Sequence, residues 1–254
     1  MLKHKNMRFQ LLSDLHIERL PKGHPFTLTK NPDCDYLILA GDIGVPTSSE
    51  YLALLLMASQ LFTRTFVIKG NHECYGRTPI ETDDLIAKIS LTMPNVTYLS
   101  NSGFDLPENV RIVGSTLWSY VLDAQRPAVQ CFIADYRYIS NWNIDKNNVA
   151  HCKSVAYIKS EIALASEQNK RLIVVSHHAP VLYGTSNPAH DRSPIKSAYA
   201  SDLAYLFDSP IVAWCHGHTH YSHRTNINGT ALVSNQLGLP HESTGFDPTF
   251  QLIL

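Results

Sequence analysis

The chain has little of what holds small secreted proteins together. Its five cysteines (Cys34, Cys74, Cys131, Cys152 and Cys215) are scattered, odd in number and form no CxxC pair. That excludes a disulfide framework and a zinc ribbon, and free thiols fit a reducing, cytoplasmic setting. Charge is also sparse. Charged residues are 17% of 254, the net charge is −1, and no block of like charges occurs. Such a balance argues against nucleic acid or an anionic membrane as partner. No apolar run approaches the ~20 residues needed to span a bilayer. The longest, around residues 52–56, reads as a buried helix. The basic start is followed by Arg8-Phe9-Gln10, without an apolar h-region or a small-residue cleavage site, so no signal peptide is expected and the first six residues read as a ragged extension. There is no Pro-, Gly- or Ser-rich linker, no repeat and no low-complexity segment. Residues 1–254 therefore read as one domain, long enough to bury most of its apolar surface.

What the chain does have is histidine, 13 in all. Three stand at alternate positions in Cys215-His216-Gly217-His218-Thr219-His220, directly after the apolar run 211–214. Imidazole is the commonest metal ligand near neutral pH, and Gly217 is expected to let the backbone turn sharply. The same theme of a short apolar run followed by a polar, ligand-rich turn recurs. Residues 9–12 lead into Ser13-Asp14-Leu15-His16, residues 36–40 into Gly41-Asp42, residues 66–68 into Gly70-Asn71-His72-Glu73, and residues 172–175 into Ser176-His177-His178-Ala179-Pro180. These runs are continuous and β-branched, the pattern of strands buried on both faces. Helical patterns lie between them at 49–62, 81–91, 150–168 and 201–207. Strand alternating with helix predicts an α/β fold with parallel strands at its core. Runs 96–99 and 110–114 flank an expected turn at Asn101-Ser102-Gly103. Short runs near 223–227, 230–234 and 250–253, with Asn228-Gly229 as a hairpin turn, predict a second sheet with antiparallel content.

In an open α/β sheet, ligands bind beyond the carboxyl ends of the strands. All five polar turns fall on that edge. They offer Asp14, His16, Asp42, Asn71, His72, His177, His178, His216, His218 and His220. This mix of carboxylate, amide oxygen and imidazole, without thiolate, suits Zn, Mn, Fe or Ni. It is too many ligands for one ion and a suitable number for two, the arrangement used for in-line displacement at phosphorus.

The set Asp14-x-His16, Gly41-Asp42, Gly70-Asn71-His72-Glu73, His177 and Gly217-His218-x-His220 resembles the calcineurin-like metallophosphoesterase superfamily, with all five blocks in the family's order. The resemblance implies a four-layer αββα sandwich with two central mixed β-sheets and a binuclear centre at one edge. It implies that Asp14, His16, Asp42 and His220 hold one metal and that Asp42, Asn71, His177 and His218 hold the other, with Asp42 bridging through its two oxygens. A hydroxide between the metals would be the nucleophile, and His72 would protonate the leaving oxygen as general acid. Glu73 would orient His72 or a neighbour. His178 is left as a supporting or substrate-side residue, and His216 as one that packs behind the loop. His151, His190, His223 and His241 are expected at the surface or rim, and Cys74 and Cys215 as small buried residues.

Substrate choice is expected from three rim segments. Residues 116–148 are long, irregular and aromatic, and resemble an insertion that shapes the cleft in some bacterial members. They carry Asp135 and Arg137, and residues 181–200 carry Arg192. With Asn71 and His72, these are the expected substrate contacts, since a guanidinium can pair two phosphate oxygens. The third segment is 235–245, which includes His241. The expected function is hydrolysis of a small or nucleotide-like phosphate mono- or diester by a monomer or homodimer. A nuclease of the Mre11-like branch, or a scaffold that has lost catalysis, are the competing readings.

Overall fold

The computed structural model describes residues 6–21 and 23–254, so most of the expected ragged extension lies outside the described residues. Two sheets pack face to face. The first has the order β11-β1-β2-β3-β4, formed by β1 (Arg8–Leu12), β2 (Tyr36–Ala40), β3 (Arg64–Ile68), β4 (Val96–Tyr98) and β11 (Gln251–Ile253). Its first four strands are parallel and β11 runs antiparallel to β1. The second has the order β5-β6-β7-β8-β10-β9, from β5 (Ser102–Leu106), β6 (Val110–Ser115), β7 (Arg171–Ser176), β8 (Ile211–His216), β9 (His223–Ile227) and β10 (Thr230–Ser234). Here β6, β7, β8 and β10 are parallel, with antiparallel β5 and β9 at the edges.

Side-chain alternation along each strand builds the layers. Phe9, Leu11, Ile38, Ala40, Phe66 and Ile68 of the first sheet meet Ile112, Ile173, Val175, Ala213, Cys215 and Val233 of the second. The intervening residues face outward onto helices. Leu37, Leu39 and Val67 pack on Tyr51, Leu54, Leu55 and Ala58 of α1 (Ser49–Leu61). Val113, Leu172, Val174 and Trp214 form a core with Ile158 and Ala165 of the long α5 (Ile144–Glu167). The result is the expected αββα sandwich, and both strand faces are apolar because both are covered.

Several boundaries differ from the sequence reading. The second helix, α2 (Pro79–Leu91), starts two residues early because Thr78 and Glu81 make a capping box with Pro79 at the first position. Helix α5 starts six residues early, where the Asn143 side chain accepts the Lys146 N–H. The expected helix at 201–207 is only a 3₁₀ turn at Ala204–Leu206. The runs at 96–99 and 110–114 are not joined by a simple turn. They lie in different sheets, and β5 pairs with β6 around a turn where Glu108 and Asn109 have positive φ. Residues 116–148 are not irregular, since they contain α3 (Arg126–Phe132), α4 (Asp135–Tyr138) and the start of α5. Their aromatics supply two small apolar clusters, one around Val121 and Val129 and one around Cys74, Trp118 and Ile139. The Asn228–Gly229 hairpin forms as expected, both residues at positive φ.

Trp214 anchors the outer face of the second sheet. It is fully buried, stacks on Phe207 at 5.1 Å, and donates its indole N–H to Ser176 Oγ at 2.9 Å. Trp214→Ala is expected to cost about 3–5 kcal/mol of stability, and Trp214→Phe distinctly less, because the phenyl ring keeps most of the packing. Urea unfolding followed by circular dichroism measures both.

Candidate metal centre at the sheet edge

The five polar turns meet where the carboxyl ends of both sheets come together. Backbone bonds hold the turns in register: Asp14 N–H donates to Gly41 O, His16 N–H to Asp42 O, and Gly217 N–H to His177 O. Asp14, His16, Asp42, His218 and His220 all have positive φ, between 42° and 72°. Non-glycine residues seldom adopt this conformation, and it persists where surrounding contacts over-determine it. Gly217 is not among the positive-φ residues, so it is not the sharp turn that the sequence suggested. Its role is close approach: a Cβ there would strike Ser13 Oγ and the Asp14 carboxylate. Gly70 does the same beside Asp42.

Two groups of donor atoms result. In the first, His16 Nε2 and His220 Nε2 are 3.1 Å apart, Asp14 Oδ1 is 3.5 Å from His220 Nε2, and Asp42 Oδ2 is 3.8 Å from His16 Nε2. In the second, His177 Nε2 is 3.3 Å from Asp42 Oδ2 and 3.0 Å from Asn71 Oδ1, with His218 close by. Asp42 thus stands between them, but not with one oxygen for each. Its Oδ1 accepts the His72 N–H at 2.9 Å, so Oδ2 alone faces both groups.

The far sides of three donors are committed. His177 Nδ1 donates to Ala40 O at 2.9 Å, and His220 Nδ1 pairs with Glu242 Oε2. Asn71 gives its amide N–H to Asp135 Oδ1 at 2.8 Å, which fixes its oxygen toward His177. Nitrogen and oxygen atoms therefore converge on two points, and the groups demand positive charge, as protons or as cations. The electrostatics agree. Burial disfavours charge on His177, yet Asp42 beside it pushes the imidazole up to about 10. Burial likewise opposes charge on His220, but Asp14 takes it to about 9. His218, packed among His177, His178 and Tyr199, is held well below the usual range by burial and by the neighbouring imidazoles. This donor set suits one or two divalent cations with nitrogen and oxygen preferences.

The other expected residues are placed as follows. His72 lines the cleft with Nε2 4.0 Å from Asp42 Oδ2, its ring stacked on Tyr75. Glu73 is fully buried, and its hydrogen bonds go to the backbone rather than to the His72 ring. It accepts the N–H groups of Asp42, Ile43 and Gly70, tying the turns after β2 and β3 together. Asp135 lines the cleft, but its Oδ1 is occupied by Asn71 and by Tyr75 OH. Arg137 is exposed and donates to Cys131 O, Arg192 is exposed, and neither is among the residues that line the cleft. Lys196 lines it instead, ion-paired to Asp191 at 3.0 Å. His178 lies behind His218, its ring 4.0 Å away, and His216 is buried behind the loop against His223. His190 is at the cleft rim and His241 is exposed, as expected. His151 and His223 are not surface residues. His151 is buried under the carbonyls of Leu117 and Trp118, because α5 begins early enough to carry it inside, and His223 is half-buried on His216. Glu242, beside the His241 that sequence had singled out, was missed. Twenty-two residues separate it from His220, and no local signal marks it.

The cleft above these groups has a volume of about 480 Å³. Phe132, Ile133 and Ala134 form one wall, and His190, Ile195, Lys196 and Tyr199 contribute to the lining elsewhere. No described helix is long and apolar enough to cross a membrane.

Known proteins share this architecture. Residues 7–222 match the family model of calcineurin-like phosphoesterases. An uncharacterized protein of Acanthamoeba polyphaga mimivirus is 29% identical over 264 residues, covering 93% of each chain. Among solved structures, a phosphopantetheinyl hydrolase of Mycobacterium tuberculosis superposes with a TM-score of 0.70 at 19% identity, over 92% of this chain and 90% of that one. A putative 5'-nucleotidase of Staphylococcus aureus superposes with a TM-score of 0.57 at 14% identity, over 92% of this chain and 49% of that one. With the family model spanning most of the sequence and the same fold in these structures, the chain belongs to the calcineurin-like phosphoesterase family and is a phosphoric ester hydrolase.

Proposed function

We propose that the protein hydrolyses small phosphate esters at a binuclear metal centre. The observation that carries this reading is the single oxygen Asp42 Oδ2, which faces both donor groups. Asp14, His16, Asp42 and His220 would hold one ion, and Asp42, Asn71, His177 and His218 the other. Two such cations supply Lewis acidity to the phosphoryl oxygens and activate water at neutral pH. The protein's own part is to fix the donors, exclude alternatives and deliver a proton. His72 stands at the cleft floor, where burial lowers its affinity for a proton and Asp42 opposes that loss. A group placed there protonates the departing oxygen, which matters most when the leaving group is a poor one.

The cleft supports a small substrate. Among the described residues Lys196 is the one Lys or Arg that lines it, and Asp191 already pairs with it. That is too little positive charge to track a nucleic-acid backbone, whose binding rests on many phosphate contacts. The apolar wall at Phe132 and Ile133 suits an uncharged organic group beside the reacting phosphate. The two neighbours named for their substrates, a phosphopantetheinyl hydrolase and a 5'-nucleotidase, support the same class of compact phosphate ester.

Three outcomes test this. Chelation with dipicolinate is expected to abolish turnover of bis(p-nitrophenyl) phosphate and Mn²⁺ to restore it, with Asp42→Asn inactive under both conditions; turnover that survives chelation would refute the reading. His72→Gln is expected to lose ~10²–10⁴-fold with an alkyl leaving group and much less with p-nitrophenolate, as for any general acid. Metal binding is expected to release protons at pH 7, because the metal-free protein holds His177 and His220 protonated up to about 10 and about 9. Apparent affinity therefore rises with pH across that range, which calorimetric titration in buffers of different ionisation enthalpy detects.

A further inference from the structure

We infer that Asp135 is a positioning residue through which the segment over the cleft sets the orientation of Asn71 and the placement of His72; the inference rests on the binuclear reading above. A side-chain amide can present either its oxygen or its nitrogen to a neighbour. If Asn71 were flipped, its NH₂ would lie 3.0 Å from His177 Nε2, whose other nitrogen already donates to Ala40 O. The flipped amide would put N–H groups where a bound cation requires a lone pair. Asp135 prevents it. Its carboxylate only accepts hydrogen bonds, and its Oδ1 lies 2.8 Å from Asn71 Nδ2. The flipped amide would set oxygen against that carboxylate oxygen.

The same oxygen takes a second donor. Tyr75 OH donates to Asp135 Oδ1 at 2.9 Å, and the Tyr75 ring stacks on His72 with centroids 4.4 Å apart. One buried atom thus fixes both Asn71 and the ring that supports His72. Asp135 stands at the first position of α4, and the segment is fastened beside the site by backbone bonds independent of the carboxylate. Gly76 N–H donates to Tyr138 O, Ser140 N–H donates to Arg77 O, and Tyr75 pairs with Ile139 as an isolated bridge. Loss of the carboxylate therefore leaves the segment docked and removes the orientation alone.

Because both bonds end on one oxygen, an amide oxygen can replace it. The test is calorimetric Mn²⁺ titration of the full chain, with kcat and KM read on the same samples. Wild type is expected to bind two equivalents. Asp135→Ala and the near-isosteric Asp135→Leu are expected to weaken one equivalent by ~10–100-fold, leave the other unchanged, and lower kcat more than they raise KM. Asp135→Asn is expected to stay within about threefold of wild type, because its amide oxygen can accept both bonds. Two equivalents of unaltered affinity in Asp135→Ala, or wild-type behaviour in Asp135→Leu, would overturn the inference and leave the binuclear reading intact. Fewer than two equivalents in wild type would overturn both.

Discussion

The crowding of carboxylate, amide and imidazole groups, which only protons or cations neutralise, is the constraint on which this structure depends. Their nitrogen and oxygen atoms are brought within 3.0–3.8 Å of one another around Asp42 Oδ2. Without protons or cations, such atoms would move apart or turn away. They are held by devices on their far sides. Ala40 O and Glu242 commit the outer nitrogens of two imidazoles, and Glu73 gathers three amide N–H groups from the turns after β2 and β3. A buried carboxylate with three amide donors is well satisfied, though burial and the charge on Asp42 still push Glu73 up to about 8.

The backbone carries the rest of this load. Five of the seven donor residues have positive φ, and two glycines are present because a methyl group would collide with a neighbouring carboxylate. A dense hydrogen-bond lattice makes these conformations tolerable, for example the His218 N–H that both oxygens of Asp14 accept at 2.9 and 3.1 Å. Behind the donors runs a relay from the core. The Trp214 indole donates to Ser176 Oγ, which donates to His178 O, and the His178 ring rests on His218. The packing of the second sheet therefore reaches the site through a short chain of contacts.

Much of this was legible in the sequence because it is local. Each donor lies within a few residues of the end of a buried strand, so an apolar run followed by Asp, Asn or His was enough to locate it. The parallel strands were legible for the same reason, since strands covered on both faces read as unbroken apolar runs, while the four-layer sandwich came from the family resemblance. What escaped reading depends on contacts between distant segments. Glu242 behind His220, Asp135 behind Asn71 and the burial of His151 are set by how loops and α5 pack, not by spacing. Arg137 and Arg192 were chosen for their chemistry, and neither is among the residues that line the cleft. Gly217 was assigned a turn, whereas its need is space, which only the neighbouring Asp14 reveals.

Each donor group draws on both sheets. Asp14, His16 and Asp42 follow β1 and β2 of one sheet, while His220 follows β8 of the other; Asn71 follows β3, while His177 and His218 follow β7 and β8. Any cation held there is therefore a clasp across the seam of the sandwich. Its binding free energy adds to the contact between the two halves, and the sandwich holds most firmly when the clasp is closed.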